Sequence, residues 1–590
     1  MENSFTSSTF IKKLFNSVGQ PIEIKGYKIG DSLSVKDNID FKCDGIRFID
    51  CEFAEDVNFI HVDLKEGLFF YNCVFHKNFN VIDCTSSYIG HEKPTMEEYN
   101  TIHLGTTSIK SLLNIQNSYL ERGLGIKSES DINSINVYGV TCGGGSQFSI
   151  VDSKISETIN IDETVIKGDL SFQKSILQGQ IRIESLNCSR IAFIKVESEK
   201  DIFVRYSNLQ HGITFNYGSF KDDVKFECVK SSSGYLTLIG TEFKRSCEFF
   251  YNSPTSNNVP LELQGGCKEI HIDTCVFDEI LLINGLGNVV NPYELESVNI
   301  NCSALLKGQI LIRDFKINIA SMQGVNSGAN LIFDLIQFHK LNFLNFSNFS
   351  KLQLLNCTSD KSNNSEFSLL NSSLGAAQFF NLHLNSFKKI IINDSIVSEI
   401  IVSNVHWFTP DQLEIASSIE RKDIGPKRRK ELFRQLKYGL EKQGDRIQSL
   451  LFQQYEMEAF KEELTHTQKP YNGDRLIMFI NQSNDYGSNW KKPVLWLFAF
   501  TIIFYFLIVT ASYRNMLAPS SYIEDWQDTL IAYWVHKPSF FQMLNPTYLF
   551  DRAFKDGRYN LLTALFDILH RIVLAYFIFQ IVSAFRKFVK

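Results

Sequence analysis

Asp567, His570 and Arg571 stand inside a run, 561–585 (LLTALFDILHRIVLAYFIFQIVSAF), whose other residues are mostly apolar. Ionisable groups at membrane depth are costly and usually face a bundle interior or a water-filled cavity. Asp567 and Arg571 are four apart and can pair on one helix face. One reading makes the three a pore-lining or gating cluster, formed when several copies assemble. The other starts the span near Ile572 and leaves all three at the headgroups. Gln580 and Ser583 lie further along. From several copies they would ring and hydrate a pore, or they bond helix to helix. Two spans cannot enclose a pore alone, so a pore requires a homo-oligomer, and a cyclic ring is expected.

The elements that would hold these residues are spans of a lipid bilayer. Residues 494–513 (VLWLFAFTIIFYFLIVTASY) carry no charge and are long enough to cross. Trp490, Lys491 and Lys492 flank one end, Tyr513 and Arg514 the other, as interfacial anchors do. The second span is 561–585, followed by Arg586, Lys587 and Lys590. The positive charges before the first span and after the second put both ends on the cytoplasmic side. The connection, about 515–560, carries Trp526, Trp534, Phe540, Phe541 and Asn545-Pro546, together with Arg552, Lys555 and Arg558. Part of it, about 526–550, would re-enter the membrane or lie along its interface.

Residues 409–490 form a charged, helix-forming coupling region. Leu432, Phe433, Leu436, Leu440, Ile447, Leu450, Leu451, Tyr455 and Ala459 recur at helical spacing, with Gly444 near the middle. Two antiparallel helices, or one kinked helix, are expected. The basic cluster Lys427–Lys430 could touch phosphate, or form a solvated face near anionic headgroups.

Upstream lies a repeat. Phe148, Ile159, Leu170 and Ile181 are each 11 apart, and Ile150, Ile161, Phe172 and Ile183 keep the same step. Ser153, Thr164 and Ser175 follow, then Ile155, Ile166, Leu177 and Cys188. Alternation within each unit is that of a strand with one buried face. A period of 11 also suits a right-handed helical coiled coil, but Gly, Asn, Ser, Thr and β-branched residues are poor helix formers. The fold class is therefore an all-β solenoid, followed by a helical linker and a transmembrane hairpin. Residues 1–45 read as an N-terminal cap and 46–408 as solenoid, with an insertion at about 85–134. If two units close a coil, the solenoid has roughly 16 coils and a length near 75–80 Å, from a strand spacing of ~4.8 Å.

The chain has 590 residues and a net charge of −6, which argues against a generally basic nucleic-acid binder. Of its twelve cysteines, Cys51, Cys73, Cys84, Cys142, Cys275 and Cys357 take the small inward slot of the repeat. That placement suits stacked, reduced thiols in a cytoplasmic solenoid, not disulfides or a metal site. Residues 1–20 lack the apolar run of a secretory signal. No P-loop, GxSxG or HExxH occurs, so neither an enzyme nor a cofactor is expected. Gly143-Gly144-Gly145, Asp222-Asp223 and His406-Trp407 read as corners and a cap. A polysaccharide-active β-helix enzyme would share the architecture, but fold alone does not license that chemistry.

Residues 430–590 resemble a known group. Phe433-Arg434-x-Leu436-Lys437, Gly444-Asp445-Arg446, Phe452 and Glu456-Met457-Glu458 precede the first span; Asn545-Pro546 lies between the spans; Phe579-Gln580 and Ala584-Phe585-Arg586-Lys587-Phe588 close the chain. This is similar to bacterial membrane proteins that join a pentapeptide-repeat-like β-solenoid to a C-terminal ion-channel-like hairpin. In layout the chain is similar to channel effectors of Hailong-type anti-phage defence systems. The resemblance implies a homo-oligomeric channel in the bacterial cell membrane. It would be gated by a nucleotide oligomer, single-stranded oligodeoxyadenylate DNA made by a partner nucleotidyltransferase, and its opening would depolarise the membrane. It also marks Arg434, Lys437, Asp445, Arg446 and Glu456 as coupling-helix residues. The 11-residue period departs from the group's five-residue repeat, so no ligand-binding residue carries over. Arg205 and Tyr206, one cationic and aromatic pair, are of a kind too common here to single out. The alternative is a non-conducting, membrane-tethered solenoid that recruits a protein partner.

Overall fold

The computed structural model describes the chain apart from residues 1–5, 17–21, 37–44, 66, 88–99, 144–145, 232–233, 252–266, 286–292, 304, 415–423, 468–472, 476–477, 479–481, 488, 514–529, 532, 556, 558 and 586–590. It divides into two compact units, Met1–Glu414 and Ile415–Lys590. Gly144, Gly145, the Pro- and Asn-rich stretch 252–260 (NSPTSNNVP), where the sequence interrupts the repeat, Arg514, Trp526, Arg558 and the basic tail Arg586–Lys590 lie outside the described residues.

The first unit is a β-solenoid of about 16 turns over residues 22–414. Its named strands pair in parallel: Phe148 sits on Leu170 and Ile150 on Phe172, while Ile159 sits on Ile181. Two 11-residue units therefore close one coil. Strand Ile159–Asp162 alternates buried and half-buried residues, and Ile181–Glu184 likewise turns every second side chain inward. Inward phenylalanines of successive coils stack, because equivalent positions lie one strand spacing apart. The Phe172 and Phe193 rings are 5.0 Å apart and nearly parallel, Phe193 and Phe215 are 4.9 Å apart, and Phe48 and Phe70 are 4.9 Å apart.

The Ser/Thr/Cys slot has a physical cause at the corners. Asp50, Asp152, Lys174 and Asn356 each have a left-handed backbone with φ between 47 and 53°. The next residue turns inward, where its side chain reaches the carbonyl two positions back. Ser153 donates to the Val151 carbonyl at 2.7 Å, Ser175 to Gln173 at 2.8 Å, and Cys357 Sγ to Leu355 at 3.1 Å. A small donor thus adds a second bond to a carbonyl at the turn, since the Gln173 and Leu355 carbonyls already accept from the Asp152 and Leu335 N–H groups of the neighbouring coil at 2.9 and 3.0 Å. All the described cysteines are buried and unpaired with one another as disulfides. Burial pushes the Cys142, Cys275 and Cys357 thiols up to about 12. Cys51 is the exception, lowered to about 7 by the Cys73 thiol beside it, but it is buried like the rest. Burial should therefore make the native protein resist a maleimide at every described cysteine and take it up there only on unfolding. Mass spectrometry before and after denaturant checks this.

Both solenoid boundaries differ from expectation. Strands Ile22–Lys25 and Leu33–Lys36 already pair with Ile46–Ile49 and Val57–Ile60, so the first coil begins at 22. The cap is the helix Ser7–Asn16, whose buried Phe10 lies 5.5 Å from Phe48. The last strand is Leu413–Glu414. The stretch read as an insertion at 85–134 is mostly coil: Ile102 and Leu104 sit on Leu68 and Phe70, and Leu124 and Ile126 follow. Its 88–99 portion lies outside the described residues.

His103, on an outward position of this region, is only 4 % exposed and its Nδ1 has no partner. Burial, helped by Lys127, holds its pKa at about 4. The unfolded chain, with a histidine near 6.5, takes up the proton first as pH falls. Stability is then expected to drop by ~3 kcal/mol between pH 6.5 and 4 and to level off below. Denaturant midpoints against pH should show this slope in the wild type, and His103→Gln should flatten it.

Candidate functional site

The second unit begins with the paired helices Ile424–Lys442 and Arg446–Thr467. Leu432, Phe433, Leu436, Leu440, Phe452 and Ala459 are buried between or beside them. Ile447, by contrast, is 73 % exposed. Gly444, at φ 82°, makes the reversal, and Asp445 caps the second helix by accepting from the Gln448 N–H at 3.1 Å. Lys437 pairs with Glu456 across the helices at 2.7 Å with both side chains largely covered, while Arg434 pairs with Glu431 on its own helix. Arg446 sits at the start of the second helix. The basic cluster is used internally as well: Arg429 pairs with Glu462 at 2.7 Å and Lys430 with Glu463 at 2.5 Å. Charge pairing within the bundle thus accounts for much of a patch that the sequence offers to phosphate.

The second helix of this pair touches the short turn Gln482–Gly487, where Lys461 donates to Gln482 at 2.7 Å. That turn touches both long apolar helices, Lys491–Tyr513 and Leu561–Phe585. These two are long and apolar enough to cross a membrane. They pack antiparallel: Trp490 stacks on Phe585, Phe500 on Phe577, and Asn560 donates to the Ala511 carbonyl at 2.8 Å.

The second apolar helix buries one stripe, Thr563, Asp567, His570, Leu574, Phe577, Gln580 and Ala584, at steps of three and four. The polar residues lie on this inward stripe because the opposite face, including Leu565, Ile568 and Ile572, is exposed and apolar. Arg571 Nε lies 3.2 Å from Asp567 Oδ2, the expected i, i+4 pair. Tyr548, from the segment between the helices, completes it. Its hydroxyl donates to Asp567, its carbonyl accepts from Arg571 Nη2 at 2.8 Å, and its ring lies 4.5 Å from the guanidinium. His570 Nε2 lies 3.4 Å from Thr501 Oγ1 on the first apolar helix, and its buried Nδ1 has no partner. Ser583 is half-buried near the end of the helix.

Asp567, His570, Arg571 and Tyr548 therefore form one closed cluster, with Gln580 two to three turns away. Sequence reasoning missed Tyr548 and Thr501; the only cue was a tyrosine beside Asn545-Pro546. Elsewhere, Asp222 and Asp223 lie close to Asp201 and face solvent in part. His406 stacks on His383 at 4.3 Å, and Arg205 is paired with Glu227 at 3.0 Å. Comparison of the chain with protein-family models, curated proteins and solved structures gives no match.

Proposed function

We propose that this chain is a membrane effector of bacterial anti-phage defence. In this reading copies assemble as a ring in the cell membrane, with the solenoid and both termini in the cytoplasm. The solenoid senses a nucleotide oligomer, the paired helices pass the signal on, and the hairpins open to ions and depolarise the membrane. The observation that supports conduction is the Asp567–Arg571–Tyr548 cluster inside an apolar hairpin, since ionisable groups are rarely kept there without use. A chain of contacts from the paired helices through Gln482–Gly487 to both apolar helices supports coupling. The defence role and the oligomer signal rest on the resemblance over 430–590.

Closure of the cluster within one copy favours a second reading, a non-conducting tether that recruits a protein partner. Asp567 at 3 % exposure and Gln580 at 6 % are already covered without a ring. Native mass in detergent separates the two at their first requirement. The channel reading expects several copies per particle, and a strict monomer would contradict it.

A further inference from the structure

Between the two apolar helices, residues 533–554 fold back along them. Tyr505 and Val509 of the first helix form one buried cluster with Met543, Tyr548, Phe550 and Phe554. Tyr505 donates to the Tyr533 carbonyl at 2.5 Å, and Tyr533 Oη lies within hydrogen-bond reach of Thr510. At 1.5 Å per residue, Tyr505 lies about 12 Å inside the Tyr513 end of its helix. Asp567, which holds Tyr548, lies about 9 Å inside the Leu561 end of the other by the same rise. Two independent contacts thus set the segment at one depth, below the end where the helices are joined.

The segment also satisfies its irregular backbone with side chains, as membrane depth requires. The carbonyls of Tyr533, Tyr548 and Ala553 accept from Tyr505, Arg571 and Ser539 respectively. Its largest exposed side chains are apolar, with Trp534 71 % exposed, Phe541 69 % and Leu549 56 %. Lys537, Gln542, Asn545 and Thr547 are exposed among them, and the charged Asp551 and Arg552 follow. Lys537 Nζ lies 4.1 Å from the Trp534 ring centroid, a pairing that lets the lysine reach up to the headgroups from a ring set below them.

We infer that residues 533–549 dip into the bilayer, with Trp534, Phe541 and Leu549 facing lipid acyl chains and the exposed Asp551 and Arg552 at the headgroup level. The inference rests on the reading of the two long helices as membrane spans. It is tested with single-tryptophan versions of the full chain in vesicles. One keeps Trp534, with Trp407, Trp490, Trp496 and Trp526 replaced by Phe; a control keeps Trp496, in the first span. Brominated acyl chains should quench Trp534 about as strongly as Trp496, and aqueous iodide should quench neither. Trp496 quenched by lipid with Trp534 open to iodide would overturn the inference and leave the spans standing. Trp534 shielded from both quenchers would mean that protein covers the face, a second copy or another partner, and would equally overturn it. Failure of lipid to quench even Trp496 would remove the spans themselves. Phe541→Trp in the tryptophan-free chain repeats the test should the first variant fold poorly.

Discussion

Asp567→Ala is expected to destabilise the hairpin by about 3 kcal/mol, near the lower end of what breaking a buried ion pair costs. The variant leaves Arg571 beside an apolar helix with the Tyr548 carbonyl and ring as its main remaining company. Arg571 keeps 35 % of its side chain exposed, which lets it reach solvent or headgroups and moderates the loss. Arg571→Met leaves the more deeply buried partner, since the Asp567 side chain is only 5 % exposed, and should cost at least as much. Joining both changes removes the charges together. The double variant should recover much of the loss, with a coupling of about 1–3 kcal/mol in the cycle. Thermal unfolding in detergent, followed on the hairpin tryptophans, reads all four species. Additive losses would mean that Asp567 and Arg571 do not act as a unit. The same variant probes the proposed gate. A cluster that holds the segment around Tyr548 against the second helix should, once broken, let ions pass without a signal.

In the solenoid the largest effect is expected at Phe193. Its ring lies between Phe172 and Phe215, at 5.0 and 4.9 Å, and all three are fully buried. Phe193→Ala should cost ~3–5 kcal/mol through lost burial and the cavity left behind. Each coil of a solenoid touches chiefly its neighbours, so the loss should be local. Hydrogen exchange should rise first in Leu170–Gln173, Asn187–Ile194 and Asn208–Asn216, while the coils near Phe48 keep their protection. Phe193→Leu should regain more than half of the stability. A uniform rise along the whole solenoid would show that it unfolds as one unit.

Much of this architecture was legible in single residues, because a stacked coil repeats its geometric demands. Ile159 and Ile181 must both be apolar since one lies on the other, and the residue after each corner must be small enough to bond back to the turn. The same signal is present but unread at Ile102-x-Leu104, Leu113-x-Ile115 and Leu124-x-Ile126, again in steps of 11. There the slot holds Thr107, Ser118 and Ser130 instead of cysteine, and a register shift between Ile109 and Leu112 blurs the rhythm. At the hairpin, the spacing of Asp567 and Arg571 revealed their pairing, which is local. It could not reveal Tyr548, nineteen positions away, or Thr501 on the other helix, because those contacts depend on how the segment between the helices folds back. Nor could it show that the basic cluster at 427–430 meets Glu462 and Glu463, which lie more than thirty positions downstream.

In the proposed function the hairpins conduct when the solenoid is occupied. Ion flux through vesicles carrying the purified full-length protein, with and without short single-stranded oligodeoxyadenylate, tests it most directly. Flux is expected only with the oligomer. Constitutive flux would keep the channel and contradict the proposed signal. Absence of flux, from protein shown to be inserted and oligomeric and supplied with the oligomer, would contradict conduction and leave the tethered scaffold.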